Sequence, residues 1–218
     1  MLVQELMSRN PHTTIPDASV PDALAYMREK KVGRLPVLDK ADRLVGIVSE
    51  EDLLYASPSP ATSLSIFEIN SLFSKIKVSY VMTKEVVTVP EDLPVEDAAR
   101  IMADRRIGGL PVLRGTQLVG IVTETDLFRV LLTLLGGRRP GVRVTLRVPG
   151  VKGTMARISG IVSAAGGDIV GLGISENLGM SGGYWSMTLK IQDLSRKAVL
   201  DVFAGADVEV VDVRESGD

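Results

Sequence analysis

The chain is 218 residues long, enough for two small domains, and its 45% apolar and 24% charged residues suit a packed core with a solvated surface. A net charge of −2 argues against nucleic acid or an anionic membrane as a partner, because both need a basic face. Zero cysteines exclude disulfides, thiol chemistry and thiolate metal sites, and one histidine, His12, is too few for a histidine metal cage or a Ser-His-Asp relay.

Residues 1–56 read as one unit. Thr13–Ile15 is a short extended piece ending at Pro16, followed by a helix with Val20, Ala23, Leu24 and Met27 at helical spacing. Two apolar strands follow, Leu35–Leu38 and Leu44–Val48, joined by a turn at Asp39–Asp42, and a second helix starts at Ser49. Residues 57–76 form a linker: Ser57–Ser63 is turn-rich, and Ile66, Ile69, Leu72, Phe73 and Ile76 fall on one face of a connecting helix.

Residues 77–135 repeat the first unit at an offset of about 75 residues. Gly33-Arg34-Leu35-Pro36-Val37-Leu38 returns as Gly108-Gly109-Leu110-Pro111-Val112-Leu113, and Leu44–Leu53 returns as Leu118–Leu127. Met7/Met82, Thr14/Thr88, Pro16/Pro90 and Met27/Met102 match as well. The order β-α-β-β-α therefore occurs twice. The last helix of the second copy, Asp126–Leu135, is apolar nearly all round, which predicts burial against the other copy or a second subunit, and hence a homodimer.

Residues 136–141 are a glycine-rich linker, and the texture then changes. Val142–Val148, Ile169–Ser175, Tyr184–Ile191 and Val208–Val213 read as strands, and Thr154–Ala165 and Ser195–Phe203 as helices. That order, β-α-β-β-α-β over residues 142–214, is ferredoxin-like. The fold class is α+β (α/β) throughout. No run is long and apolar enough to span a bilayer, since Leu127–Leu135 is short and broken by Arg129. Met1–Glu5 lacks the cationic start and apolar run of a signal peptide, so a cytoplasmic location is expected.

The chemistry lies at the duplicated junctions Gly46-Ile47-Val48-Ser49-Glu50-Glu51-Asp52 and Gly120-Ile121-Val122-Thr123-Glu124-Thr125-Asp126. Each runs from an apolar strand into a hydroxyl residue, with Asp three residues later at a helix start. Two readings fit. The hydroxyl and Asp cap the helix, a stabilisation of about 1–2 kcal/mol that needs no ligand. Alternatively, free amides and the hydroxyl receive a phosphate while Asp accepts two ribose hydroxyls. Glu50, Glu51 and Asp52 make the first junction acidic, with Arg34 as its cation; the second copy has Gly109 in that position.

These repeats resemble CBS domains, and two in tandem resemble a Bateman module, whose recurring role is to bind adenosine-containing ligands. The resemblance implies that Ser49 and Asp52 hold ribose and phosphate at one site, with Thr14 and Ile15 against the base. Thr123 and Asp126 would serve a second site, with Thr88 and Val89 against the base; Arg34 and the strand prolines Pro36 and Pro111 complete the candidate set. AMP, ADP, ATP and S-adenosylmethionine are the implied regulatory ligands.

Residues 142–214 resemble an ACT domain, which implies an amino acid as a further ligand. The candidate loop there is Gly150-Val151-Lys152-Gly153-Thr154, whose amides could receive a carboxylate or simply form a tight strand-to-helix turn. Tandem CBS repeats followed by an ACT domain resemble the acetoin-utilisation AcuB-type family, which implies a regulatory role in carbon metabolism through an unknown partner protein. Three functions are thus distinguished: a non-catalytic sensor, a dimerisation scaffold with vacant sites, and a nucleotide-hydrolysing enzyme. The last is disfavoured, since no nucleophile, P-loop or acid–base pair stands apart from the caps.

Overall fold

The computed structural model describes residues 1–56, 73–176 and 183–216. The connecting helix expected through Ile66, Ile69 and Leu72, and most of the loop at Gly179–Gly183, fall outside the described residues. The chain divides into two compact units, Met1–Leu127 and Phe128–Asp218.

The first unit opens with a 3-10 turn at Val3–Glu5 and a two-residue strand β1 (Ser8–Arg9). Helix α1 (Val20–Lys30), the hairpin β2 (Arg34–Leu38) and β3 (Leu44–Ser49), and the short α2 (Glu50–Tyr55) complete the first copy. The second comprises α3 (Val78–Val81), β4 (Val89–Pro90), α4 (Val95–Arg105), β5 (Gly109–Arg114), β6 (Gln117–Thr123) and α5 (Glu124–Leu134). Helix α1 starts on Ser19, whose hydroxyl accepts the Asp22 amide, and α1 and α4 both end on a cation with left-handed backbone, Lys31 and Arg106, each at φ 55°. The basic residues therefore sit where the negative end of the helix dipole favours them.

The repeats exchange their leading segments. Val3 and Met7 are buried among Val89, Ala98, Met102, Leu110, Val112 and Val122 of the second copy, while Val78 is buried among Val20, Met27, Leu35, Val48 and Leu53 of the first. Backbone bonds fix the exchange: Val3 N–H donates to Leu93 O at 2.9 Å and Val78 N–H to Ala18 O at 2.9 Å. β1 pairs antiparallel with β6, and Thr83 pairs with Ile47 on β3. Nothing in the periodicity announces this, because segments this short carry no pattern of their own.

Helix α5 carries the apolar side chains expected to bury against the other copy or a second subunit. Asp126 is its buried residue, whereas Phe128 is 64% exposed, Leu131 50% and Leu134 56%. The core beneath β5 and β6 is closed by α4 and by the leading segment Val3–Met7, and Leu127 at the start of this helix packs on it.

The second unit is a four-stranded antiparallel sheet in the order β10-β7-β9-β8, built from β7 (Gly141–Pro149), β8 (Asp168–Ser175), β9 (Tyr184–Gln192) and β10 (Glu209–Ser216), with α6 (Thr154–Ala164) and α7 (Arg196–Ala204) between them. This is the expected ferredoxin-like topology. Val142, Val144, Leu146 and Val148 alternate inward with Met187, Leu189 and Ile191 and meet Ile158, Val162, Val199 and Phe203 from the helices. The opposite face is polar. Lys190 lies on it, 4% exposed, with its ammonium donating to Ser216 Oγ; Gly136, at φ +63°, sits over its stem. Burial and the neighbouring Arg143 push the Lys190 ammonium below its ordinary range.

Candidate functional site

The duplicated junctions form where a strand hands over to a helix. Ser49 has extended backbone and caps α2: Asp52 N–H donates to Ser49 Oγ at 3.1 Å, while Ser49 N–H and Oγ–H donate to Asp52 Oδ2 at 2.8 and 2.6 Å. Thr123 and Asp126 repeat the arrangement at 2.9 and 2.7 Å, with Asp126 buried. The capping box is closed at Ser49, and Thr123 reaches the Asp126 carboxylate in the same way. The Ser49 box uses one carboxylate oxygen of Asp52, since its side-chain bonds among the described residues all land on Oδ2. Oδ1 keeps its acceptor capacity, so a cap and a ribose contact are compatible at this residue.

Ser49 and Asp52 open onto a cleft of about 250 Å³, lined from the first copy by Arg34, Ile47 and Glu51 as well. The far wall belongs to the second copy: Thr83, Glu85, Val86 and Val87, then Arg106, Ile107, Gly108, Gly109 and Pro111. The cleft walls supply apolar residues for a base, an Asp and a Ser for sugar hydroxyls, and two arginines, Arg34 and Arg106, for an anion. Glu51, Asp52 and Glu85 oppose a heavily charged polyphosphate.

Of the candidates named from sequence, Arg34, Ser49, Asp52 and Pro111 share this cleft. Thr14, Ile15, Pro36, Thr88, Val89, Thr123 and Asp126 do not line it. Thr14 pairs with Val37 and its amide donates to Pro36 O, Ile15 is 57% exposed, and Val89 is a core residue paired with Val112. The expected partnership of Ser49 and Asp52 with Thr14 and Ile15 is therefore replaced by one with Val86 and Val87. The exchange of leading segments is the cause, because the Ile47–Thr83 pairing carries the second copy's segment to the first copy's junction. Thr83, Glu85 and Arg106 join the cleft for the same reason, a pairing between the repeats that spacing along the chain does not show.

Arg34 pairs in register with Ser49 and reaches across the seam between the repeats. Its stem covers Gly109, where a Cβ would stand 3.1 Å from Arg34 Cδ, and its guanidinium fills the space a Cβ on Gly108 would need. Glycine at both positions is what lets the arginine lie there.

In the second unit, the loop Gly150–Thr154 turns on its own bonds. Gly150 N–H donates to Gly183 O at 2.7 Å, Val151 N–H to Pro149 O at 2.9 Å, and Thr154 Oγ–H to Pro149 O at 2.8 Å, with Thr154 buried. Lys152 and Gly153 stay exposed, and Gly153 takes φ +88°. Among the described residues, no cluster of three or more His, Asp or Glu is arranged to hold a metal, and no helix is long and apolar enough to cross a membrane.

The CBS domain family matches this chain over residues 3–59 and 78–133. Among solved structures, the CBS domain pair of protein MJ0100, in complex with 5'-methylthioadenosine and S-adenosyl-L-methionine, is 28% identical with a TM-score of 0.52, covering 64% of this chain and 98% of that one. CBSX2 in complex with AMP is 36% identical with a TM-score of 0.50, over 60% of this chain and 96% of that one. A Vibrio cholerae protein bearing the acetoin utilization (AcuB) name is 30% identical with a TM-score of 0.52, over 63% of this chain and 95% of that one.

Proposed function

This chain belongs to the CBS-domain family, and we propose that it is a non-catalytic sensor whose cleft at Ser49 and Asp52 binds an adenosine-containing ligand. CBS pairs act as regulatory parts, and similar pairs hold AMP, 5'-methylthioadenosine or S-adenosylmethionine. The observation that carries the reading is the position of Asp52: it heads α2 beside the cleft, with Oδ1 left over from the cap and Arg34 and Arg106 on the same walls. Ribose hydroxyls would meet Oδ1, the base would lie against Val86 and Val87, and a single phosphate or other small 5' group would face the arginines. Thr123 and Asp126 repeat the junction and form a second, weaker site.

The exposed apolar α5 supports a homodimer, since Phe128, Leu131 and Leu134 gain most by meeting a second copy. The ferredoxin-like unit would act as an ACT-type output domain, with an amino acid or a partner protein as its contact, in a cytoplasmic regulator of carbon metabolism like the AcuB-named relative.

Calorimetry with AMP, ADP, ATP and S-adenosylmethionine tests the reading. Binding of at least one, weakened tenfold or more by Asp52→Ala, is expected. No heat and no melting shift with any of them would leave a dimerisation scaffold, the reading favoured by the closed capping box at Ser49 alone.

A further inference from the structure

One side chain stands between the two junctions. A Cβ placed on Gly108 would stand 2.9 Å from Arg34 Cζ and 2.9 Å from Glu124 Oε2 alike, so the guanidinium and this carboxylate approach the same space without forming an ion pair. Arg34 belongs to the first junction, in register with Ser49 and in the wall of its cleft. Glu124 belongs to the second: it is the first residue of α5, directly after Thr123, and its amide donates to Gly108 O at 3.3 Å. The internal symmetry gives no reciprocal link, because the position equivalent to Arg34 is Gly109. One cation therefore stands close, from one side only, to both a cleft and the acidic start of the other junction's helix.

We propose that Arg34 couples the two junctions electrostatically, so that an anionic ligand in the Ser49–Asp52 cleft competes with Glu124 for the guanidinium. The proposal rests on the adenosine-site reading above. A phosphate in the cleft draws Arg34 away from Glu124, which leaves the second junction more acidic and weakens binding of a second anion there. By thermodynamic reciprocity, Glu124 holds down the affinity of the cleft for an anion. An uncharged nucleoside does not engage the arginine and feels no such coupling. Glu124 is exposed and is not part of the cleft wall, so a purely local role predicts no effect on the cleft.

The experiment titrates the full chain with AMP and with 5'-methylthioadenosine in four forms: wild type, Glu124→Gln, Arg34→Met and the double variant. Glu124→Gln is expected to tighten the stronger AMP step about threefold when Arg34 is present and to leave it unchanged on the Arg34→Met background. The 5'-methylthioadenosine steps should not move, and the AMP effect should shrink as salt is raised. An equal change on both backgrounds, no change on either, or the same change for 5'-methylthioadenosine overturns the coupling while the site reading stands. Failure of the wild-type chain to bind either compound overturns both.

Discussion

Met82 lies directly on Gly46: a Cβ there would stand 3.0 Å from Met82 Cγ and 3.2 Å from the carbonyl oxygen of Thr83. Because Thr83 is paired with Ile47, backbone as well as side chain would have to move. Gly46→Ala is therefore expected to destabilise the first unit by about 1–3 kcal/mol through overpacking. Gly33 has open space where its Cβ would go, so Gly33→Ala should stay within about 1 kcal/mol of wild type. Urea unfolding of the two variants provides the comparison; equal midpoints would contradict it.

Asp22 and Asp52 make the same kind of cap, Asp22 with Ser19 and Asp52 with Ser49, but only Asp52 faces the cleft. Alanine at either position should cost about 1 kcal/mol of stability. Ligand affinity should fall only for Asp52→Ala. Matching losses of affinity in both variants would mean that Asp52 acts through helix stability alone.

Phe128, Leu131 and Leu134 stand exposed on α5. If a second copy covers them, Leu131→Glu should turn a dimer into a monomer in light scattering at micromolar concentration, with the circular dichroism spectrum retained. A wild-type chain that already runs as a monomer would remove the dimer from the account.

Lys190 loses its proton more readily in the folded sheet than in the unfolded chain, where lysine titrates near about 10.4. Between the folded and unfolded values the unfolded chain binds more protons, so this residue makes stability rise with pH across that window. Lys190→Met removes the group, and the variant's stability should gain less than wild type as pH is raised toward 10. Denaturation followed by the fluorescence of Trp185, in the same unit, measures the difference; parallel pH profiles would contradict it.

Much of this architecture was legible in the residues. Leu35–Leu38 and Leu110–Leu113 announce their strands by composition, Ser49 and Thr123 their helices by capping chemistry, and Val142–Val148 its sheet face by alternation. The junction pairs Ser49–Asp52 and Thr123–Asp126 could be located from spacing alone. Their partners could not. Val86 and Val87 reach the cleft through a two-residue pairing between distant segments, a tertiary contact with no local signature. Helical periodicity in α5 records which residues are apolar and not what covers them.

The burial of Val3 beside Val122, and of Val78 beside Val20, sets an order on biogenesis. A ribosome that has released only the first copy has released a chain that cannot finish either hydrophobic cluster: one lacks Val78, and the other has only the strip around Val3. Closure of the far cluster waits until β6 has emerged, a long loop to bridge and a slow step by its contact order. Cutting the gene between the copies would accordingly yield fragments that need each other in trans.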